Sequence, residues 1–201
     1  MLLYPITSTT IVTSFSTAAV AAASAMLNDE PYLFVTNSAC WIRQGTAKLV
    51  TCVAKASMAD TDFMTITTPT STAVYEFDTA GNGVTAGRVQ VNISSDTTAA
   101  TVAARLRTAI LATQTELRVI DPTDGTLQID LVESRSLTIT ENVANAGFTI
   151  GAGIMQASAA TGSEFVPANY AIALNGRRGA QVGVIRDAAD GKSSTTQCQI
   201  R

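Results

Sequence analysis

Histidine is absent from this chain of 201 residues, and charged residues make up only 14% of it. The absence of histidine removes the commonest general base, the usual transition-metal ligand and the side chain that titrates near neutral pH. It also excludes a Ser-His-Asp triad, although serines are abundant. The net charge of −3 and the scattered Lys and Arg residues argue against nucleic-acid binding, which needs a clustered basic face. The surface must therefore be rich in Thr, Ser, Ala, Asn and Gly, which lose little solvation energy when a neighbour covers them.

Cysteines are few, and no apolar run reaches the roughly 20 residues that span a bilayer. The spacing of Cys40, Cys52 and Cys198 fits no metal site, so we expect buried thiols, with a Cys40–Cys52 bridge left open. The segment 17-TAAVAAASAML-27 contains Ala-Ser-Ala, as signal-peptidase sites do, but no positive residue precedes it. We therefore expect neither a secretion signal nor a membrane span. Residues 1–27 are interpreted as a first β-strand or an arm that contacts a neighbouring subunit.

Short β-strands with turn residues between them dominate both ends of the chain. Aromatic and β-branched residues predict two strands, 32–36 and 40–44, around a turn. Near the C-terminus, Asn-Gly and Asp-Gly turns separate three predicted strands, 170–174, 180–186 and 194–200. This pattern predicts a β-sandwich or jelly-roll.

In the middle of the chain, the spacing of apolar residues changes from that of a strand to that of a helix. Within 95–116, the residues on one predicted helix face recur at helical spacing: Val102, Leu106, Ala109, Ile110 and Thr113. Ser95 or Asp96 is the expected cap, and Arg105 and Arg107 should face away from the core. Strands are predicted on both sides of the helix, at 73–77, 88–93, 117–120, 126–132 and 136–140. The middle is therefore an α+β module with one helix on a sheet.

Segments rich in small residues, typical of linkers, flank this module at 54–61 and 151–163. The β segments outside it are each too short to fold alone. We therefore predict a mainly β protein in which residues 1–58 and 160–201 form one discontinuous β-sandwich-like or jelly-roll-like domain. Residues 59–159 form an α+β domain inserted into it.

A glycine-rich segment, 78-DTAGNGVTAGRV-89, resembles a ligand loop at first sight. As an EF-hand it lacks the third-position oxygen and the bidentate Glu, because Ala80 and Val89 stand there. As a dinucleotide loop it has one residue too many, and a strand follows where a helix must begin. We therefore expect a structural hairpin turn. No catalytic, cofactor or metal residues are predicted.

Other candidate residues have ordinary structural explanations. The carboxylate pairs Asp60/Asp62 and Asp187/Asp190 are typical of solvated turns, although glycosidases use such pairs. Trp41, Tyr75 and Tyr170 could stack on a sugar, but a Trp in an alternating strand is usually core. The candidate partner contacts are Arg177 and Arg178, at a predicted hairpin tip that could clamp an acidic patch, and Ile11 and Phe15 in the N-terminal segment.

Two patterns extend beyond composition. The first is 89-VQVNISSDTTAATVAARLRTAI-110 followed by 138-TITENVANAGFTI-150, and it resembles a small module common in tailed-bacteriophage virion proteins. The second is 32-YLFVTNSACWIRQG-45 with 163-SEFVPANYAIALNGRRGAQVGVIRDAADGKSS-194, and it resembles a compact β domain of phage structural proteins. Together the two patterns cover most of the chain.

The resemblance implies a non-enzymatic virion protein without cofactors, and most simply a cement or decoration protein of the head shell. Its partners would be copies of itself, with a trimer favoured, and the major capsid protein or other virion proteins. Such a protein is assembled in the host cytoplasm and contacts neither nucleic acid nor a membrane. The alternatives are a neck, tail or baseplate component and a carbohydrate-binding surface module.

Overall fold

A computed structural model describes residues 8–15, 24–25, 32–36, 39–120, 124–132, 136–153, 155, 164–167, 171–174, 181–186 and 194–200. The described residues form fifteen β-strands, one α-helix and one short 3-10 helix, Lys55–Ser57. The protein is therefore mainly β with one helix packed on a sheet, as the sequence predicts.

The chain divides into two compact units. Unit 1 contains Met1–Thr46, Val132–Arg135 and Ile154–Arg201, and unit 2 contains Ala47–Leu131 and Ser136–Gly153. The sequence places the divisions later, after residues 58 and 159. The difference at the first division arises in β4 (Cys40–Thr51), a single long strand whose first seven residues belong to unit 1 and whose last five belong to unit 2.

Unit 1 consists of strands in two sheets. The first sheet has the order β1-β15-β3-β13, and every neighbouring pair in it is antiparallel. In the second, β14 lies between β2 and β4, and β12 also pairs with β4. The bounds are β1 (Ser8–Phe15), β2 (Ser24–Ala25), β3 (Tyr32–Thr36), β12 (Glu164–Val166), β13 (Ala171–Leu174), β14 (Gln181–Arg186) and β15 (Ser194–Ile200).

Three predicted turns in unit 1 do not join paired strands. β3 and β4 follow one another in the chain but lie in different sheets, and the same holds for β13 and β14 and for β14 and β15. Short links therefore carry the chain from one sheet to the other, a connection typical of β-sandwiches. The prediction that 32–36 and 40–44 pair around a turn is wrong, because turn residues show where a strand ends and not which strand it pairs with.

Unit 2 is built from a four-stranded sheet, one helix and the strands β4, β8, β9 and β11. The four-stranded sheet has the order β10-β5-β6-β7, in which β6 and β7 are parallel and the other pairs antiparallel. β9 lies between β4 and β8, and β11 pairs with β4. The bounds are β5 (Phe63–Thr67), β6 (Thr72–Asp78), β7 (Val89–Asn92), β8 (Leu117–Ile120), β9 (Thr126–Val132), β10 (Thr138–Glu141) and β11 (Thr149–Ala152).

The helix α1 (Ala99–Thr113) packs against β6, β7 and β8 and supplies the centre of the core. Val102, Leu106 and Ile110 are fully buried, as the helical spacing predicts. Thr113, predicted on the same face, is exposed in the last turn. The cap is Thr98 and not Ser95 or Asp96, because its hydroxyl accepts from the Thr101 amide and closes a capping box.

Candidate functional site

The glycine-rich segment forms a ten-residue crossover between the parallel strands β6 and β7, Thr79–Arg88, here called the crossover loop. Parallel neighbours usually need a longer connection that contains a helix. Gly81, Gly83 and Gly87 have φ angles of 77°, 99° and 86°, a region that glycine enters without steric cost. The predicted positive φ angles are therefore present, but the hairpin prediction is wrong, because β6 and β7 run in the same direction.

Asp78 holds the first half of the crossover loop from inside. Its side chain is fully buried at the end of β6. Its Oδ1 accepts hydrogen bonds from the amides of Gly81 at 2.6 Å and Asn82 at 3.2 Å. Its Oδ2 accepts from the amide of Gly83 at 3.0 Å and from Gln90 Nε2 at 2.6 Å. The three amides that could have received a phosphate are therefore occupied by the protein's own carboxylate.

Two further carboxylates complete the support of the loop. Asp60 Oδ1 accepts from the amides of Thr79 at 2.8 Å and Ala80 at 2.9 Å. Glu76 Oε1 accepts from the amide of Thr85 at 3.1 Å, and its Oε2 lies 2.7 Å from Arg88 Nη1. Carboxylates thus accept six backbone N–H groups of the crossover loop.

The same hydrogen bonds lower the pKa of all three carboxyl groups. For Asp60, the largest cause is the hydrogen bond from the Ala80 amide. For Asp78 and Glu76, burial raises the pKa, but the hydrogen bonds to each carboxylate outweigh it, and the pKa of each is lowered. The loop is therefore held by ionised groups at neutral pH.

A second polar cluster, here called the polar latch, joins the β5–β6 turn to the end of α1. It consists of Thr68, Ser71, Tyr75, Gln114 and Glu116. Gln114 Nε2 donates to Ser71 Oγ at 2.7 Å, and Ser71 Oγ donates to Glu116 Oε1 at 2.5 Å. Thr68 Oγ1 donates to the same Glu116 oxygen at 3.0 Å, and the Tyr75 hydroxyl donates to Gln114 Oε1 at 3.0 Å. The latch connects a surface carboxylate to a buried amide.

Of the three aromatic residues considered for sugar stacking, Tyr170 lies outside the described residues, and the other two have different surroundings. Tyr75 is fully buried, so its prediction as a sugar platform is wrong; burial raises its pKa to about 12. Trp41 is half-buried and lies on β4 opposite Phe165 of β12, with 5.1 Å between ring centroids. Phe165 is 43% exposed and is the only exposed large apolar residue in the described part of the chain. The aromatic pair Trp41–Phe165 is a surface feature of unit 1.

The remaining predicted partner contacts are only partly described. Ile11 and Phe15 belong to β1, which pairs with β15. Arg177 and Arg178 lie outside the described residues. All four remain predictions.

The predicted carboxylate pairs and thiols have different outcomes. Asp62 Oδ2 accepts from the Ala59 amide at 2.9 Å and supports local backbone, whereas Asp60 holds the crossover loop. Asp187 and Asp190 lie outside the described residues. Cys40 and Cys52 are buried at opposite ends of β4 and form no disulfide, so the bridge that the sequence left open is not formed. The side chain of Cys198 is not described.

No group of three or more metal-ligating side chains comes together in the described ranges. Within the same ranges, no helix has both the length and the apolar character to cross a bilayer. The crossover loop and the polar latch are two of the places in the described ranges where buried polar groups converge. The sequence drew attention to the glycines of the crossover loop but not to its carboxylate partners, and it gave no sign of the latch, because most of these partners come from distant parts of the chain.

Comparison with known proteins gives no family. No family model and no curated protein matches the chain. Among solved structures, the D1-D2-D3 domains of the flagellar cap protein FliD from Escherichia coli align with a TM-score of 0.31 and 13% identity. That alignment covers 96% of this chain, which spans only 58% of the FliD chain. The D2-D3 domains of the same protein align with a TM-score of 0.29 and 12% identity, over 99% of this chain and 100% of that one. Both similarities are too weak to carry a functional argument.

Proposed function

We propose that the chain is a structural protein of a tailed-bacteriophage virion, a cement or decoration protein of the head shell. In this proposal unit 1 attaches to the shell and unit 2 is an inserted module that it carries. The chain is assembled in the host cytoplasm and has no substrate. The resemblance of 89–110 and 163–194 to segments of virion proteins suggests the class, and the organisation of the chain supports it.

The observation that carries the proposal is how the chain enters and leaves unit 2. It first enters along the second half of β4 and finally leaves along β11, with Val132–Arg135 assigned to unit 1 in between, and the entry and exit segments are antiparallel partners. The pairs are Thr51 with Thr149, Val50 with Ile150, Leu49 with Gly151 and Lys48 with Ala152. Adjacent entry and exit strands are what an inserted domain needs, because the host domain then has to bridge only a short gap. A base domain can thus carry unit 2 without losing its own fold.

The core of unit 2 is formed by strands and a helix of unit 2 itself. The buried cluster draws residues from β4 to β10, from α1 and from the Val143–Phe148 segment, and Phe77 meets Phe148 edge-on at 5.7 Å between ring centroids. Unit 2 therefore needs no partner to bury its apolar residues. Attachment to a particle is left to unit 1.

Unit 1 has features suited to contacts between subunits. In its described residues, β1 and β13 are the outer strands of the first sheet, and each pairs on one side only. Such edges offer N–H and C=O groups to a neighbouring strand. The aromatic pair Trp41–Phe165 adds exposed apolar area of the kind enriched at interfaces. These features support self-association, for which we propose a trimer, and contact with the major capsid protein.

Particles that lack this protein provide the test. Purified chain is added to them, and sedimentation measures binding while heating measures particle stability. We expect saturable binding and a higher disruption temperature. Native mass spectrometry of the free protein separates a trimer from a ring of six or twelve, which would favour a neck, tail or baseplate component. A chain that neither binds particles nor occurs in them contradicts the proposal.

The N-terminal segment is tested separately. A variant without residues 1–27 should bind particles more weakly if this segment contacts a neighbouring subunit. Unchanged affinity would show that the arm proposal is wrong while leaving the virion assignment intact. Reduced affinity needs a folding control, because the deletion also removes β1; the fluorescence of Trp41 supplies one.

The aromatic pair also supports a second candidate function, a carbohydrate-binding surface. A partly exposed Trp beside an exposed Phe can stack on a sugar ring. A glycan array would show saturable binding that Phe165→Ala abolishes and Phe165→Tyr retains. Absence of binding to any glycan would remove this candidate.

A further inference from the structure

The polar latch brings together the parts of an acyl-transfer site inside one chain. The hydroxyl of Ser71 donates to the carboxylate of Glu116 and accepts from the buried amide of Gln114. The hydroxyl of Tyr75 donates to the oxygen of the same amide. This is the arrangement by which nucleophile, base and oxyanion donor are recognised in enzymes. Here the acyl group belongs to the protein itself.

We propose that Ser71 and Gln114 form an intramolecular ester cross-link, with release of ammonia. The cross-link joins the β5–β6 turn to the end of α1, two positions 43 residues apart in sequence. It does not depend on the virion assignment.

The nucleophile and its base are in hydrogen-bond contact. Ser71 Oγ donates to Glu116 Oε1 at 2.5 Å, so the carboxylate can accept the hydroxyl proton directly. The hydrogen bond from Ser71 is the largest cause of a lowered pKa at Glu116, which is therefore ionised at neutral pH. Thr68 Oγ1 donates to the same oxygen and fixes the carboxylate in place.

The electrophile is the side-chain carbonyl of Gln114. Ser71 Oγ lies 2.7 Å from Gln114 Nε2, so it is no more than about 4 Å from the carbonyl carbon bonded to that nitrogen. Attack requires Oγ to move closer to this carbon, to about 3–3.5 Å. The Tyr75 hydroxyl donates to Gln114 Oε1, where negative charge develops in the tetrahedral intermediate. Burial raises the pKa of Tyr75 to about 12, so the hydroxyl keeps its proton for this role.

The reaction balances without an oxidant or a co-reactant. Ser71 Oγ transfers its proton to Glu116 and forms a bond to the Gln114 carbonyl carbon. The bond from that carbon to Nε2 then breaks, and Glu116 returns the proton to the departing nitrogen. The products are one ester and one ammonia, and Glu116 is regenerated.

The position of Gln114 favours formation and persistence of the ester. Its side chain is 1% exposed, so water has little access to the carbonyl carbon. Groups held together in one fold react with effective concentrations of roughly 10⁵–10⁸ M, which favours the internal hydroxyl over water. Released ammonia diffuses away and is not held by the protein. A cross-link between turn and helix would suit a protein exposed to mechanical or chemical stress.

Mass spectrometry of the intact, full-length protein is the test. We expect folded wild-type protein to be lighter than its sequence by one ammonia, and a tryptic digest to contain peptides 56–88 and 108–118 joined. Alkaline hydroxylamine should separate the two peptides, because it cleaves esters. A succinimide at Asn82-Gly83 also loses one ammonia, but it leaves the two peptides separate.

Three variants complete the test. Ser71→Ala and Glu116→Gln should both keep the full sequence mass and give separate peptides. Thr72→Ala, which removes the next, exposed hydroxyl, should still form the link. Wild-type protein at full mass after prolonged incubation at neutral pH overturns the proposal and leaves the latch a hydrogen-bond network. Joined peptides in Ser71→Ala would overturn it equally.

Discussion

Replacement of Gly125 by alanine tests how the start of α1 packs against the turn before β9. Gly125 is buried with a φ of 90°, and a Cβ atom there would lie 2.8 Å from Ala99 Cβ and 3.2 Å from the Ala99 carbonyl carbon. The helix backbone at Ala99 cannot move away freely, because the capping box of Thr98 fixes it. The Gly125 carbonyl also accepts from the Cys52 amide at 2.8 Å, so the turn is held from its other side.

Two costs add at this position. A non-glycine residue with a positive φ costs about 1–2 kcal/mol, and overpacking costs about 1–3 kcal/mol. Gly125→Ala should therefore lower the free energy of unfolding of unit 2 by about 2–5 kcal/mol. Gly87→Ala is the matched control, because its φ is 86° and a Cβ there meets nothing within 4 Å. The control should lower the free energy of unfolding only by the cost of the positive φ, about 1–2 kcal/mol.

Urea unfolding measures both variants, with a separate probe for each unit. Far-UV circular dichroism follows α1, the one α-helix in the described part of the chain, and fluorescence follows Trp41, the single tryptophan, in unit 1. Gly125→Ala should shift the midpoint of the circular-dichroism transition more than Gly87→Ala does, without changing its slope. Equal shifts for the two variants would refute the argued contact between the turn and the helix.

Two further predictions concern the crossover loop and the helix cap. The pKa of Asp60, Glu76 and Asp78 is lower in the folded than in the unfolded state, so their stabilisation is complete above the unfolded pKa of about 4 and is lost as pH falls through the folded values. The melting temperature of unit 2 should decrease when the pH is lowered below about 4. Asp78→Asn should lower the melting temperature at neutral pH and make it depend less on pH. An unchanged pH profile in the variant would contradict the role of Asp78. Thr98→Ala should lower the free energy of unfolding by about 0.5–2 kcal/mol in the same urea assay. Thr108→Ala, which removes an exposed mid-helix hydroxyl, should lower it less. Equal losses in the two variants would count against the capping box.

The helix and most strand positions were predictable because their signals are local. Burial at Val102, Leu106 and Ile110 follows from helical spacing alone, and strands 117–120, 126–132 and 194–200 have the predicted bounds. The cap was misplaced because Ser95, Asp96 and Thr98 all have capping side chains. Tertiary packing decides which of these three residues caps the helix.

Strand partners were not predictable because alternation is the same in parallel and antiparallel strands. The glycines of the crossover loop indicated positive φ correctly, but nothing local distinguishes a hairpin from a parallel crossover. The contacts that build the two candidate sites were not predictable for a related reason. Asp60 contacts the Thr79 amide 19 residues away, and Gln114 contacts Ser71 across 43 residues, so no motif in the sequence joins them.

Cryo-electron microscopy of a phage particle whose genome encodes this chain tests the proposed decoration role most directly. If the chain is a decoration protein, density for it lies on the outside of the head shell, in contact with the capsid protein. Density in the neck, tail or baseplate would contradict the decoration role. Absence of the chain from purified particles would contradict the virion assignment itself.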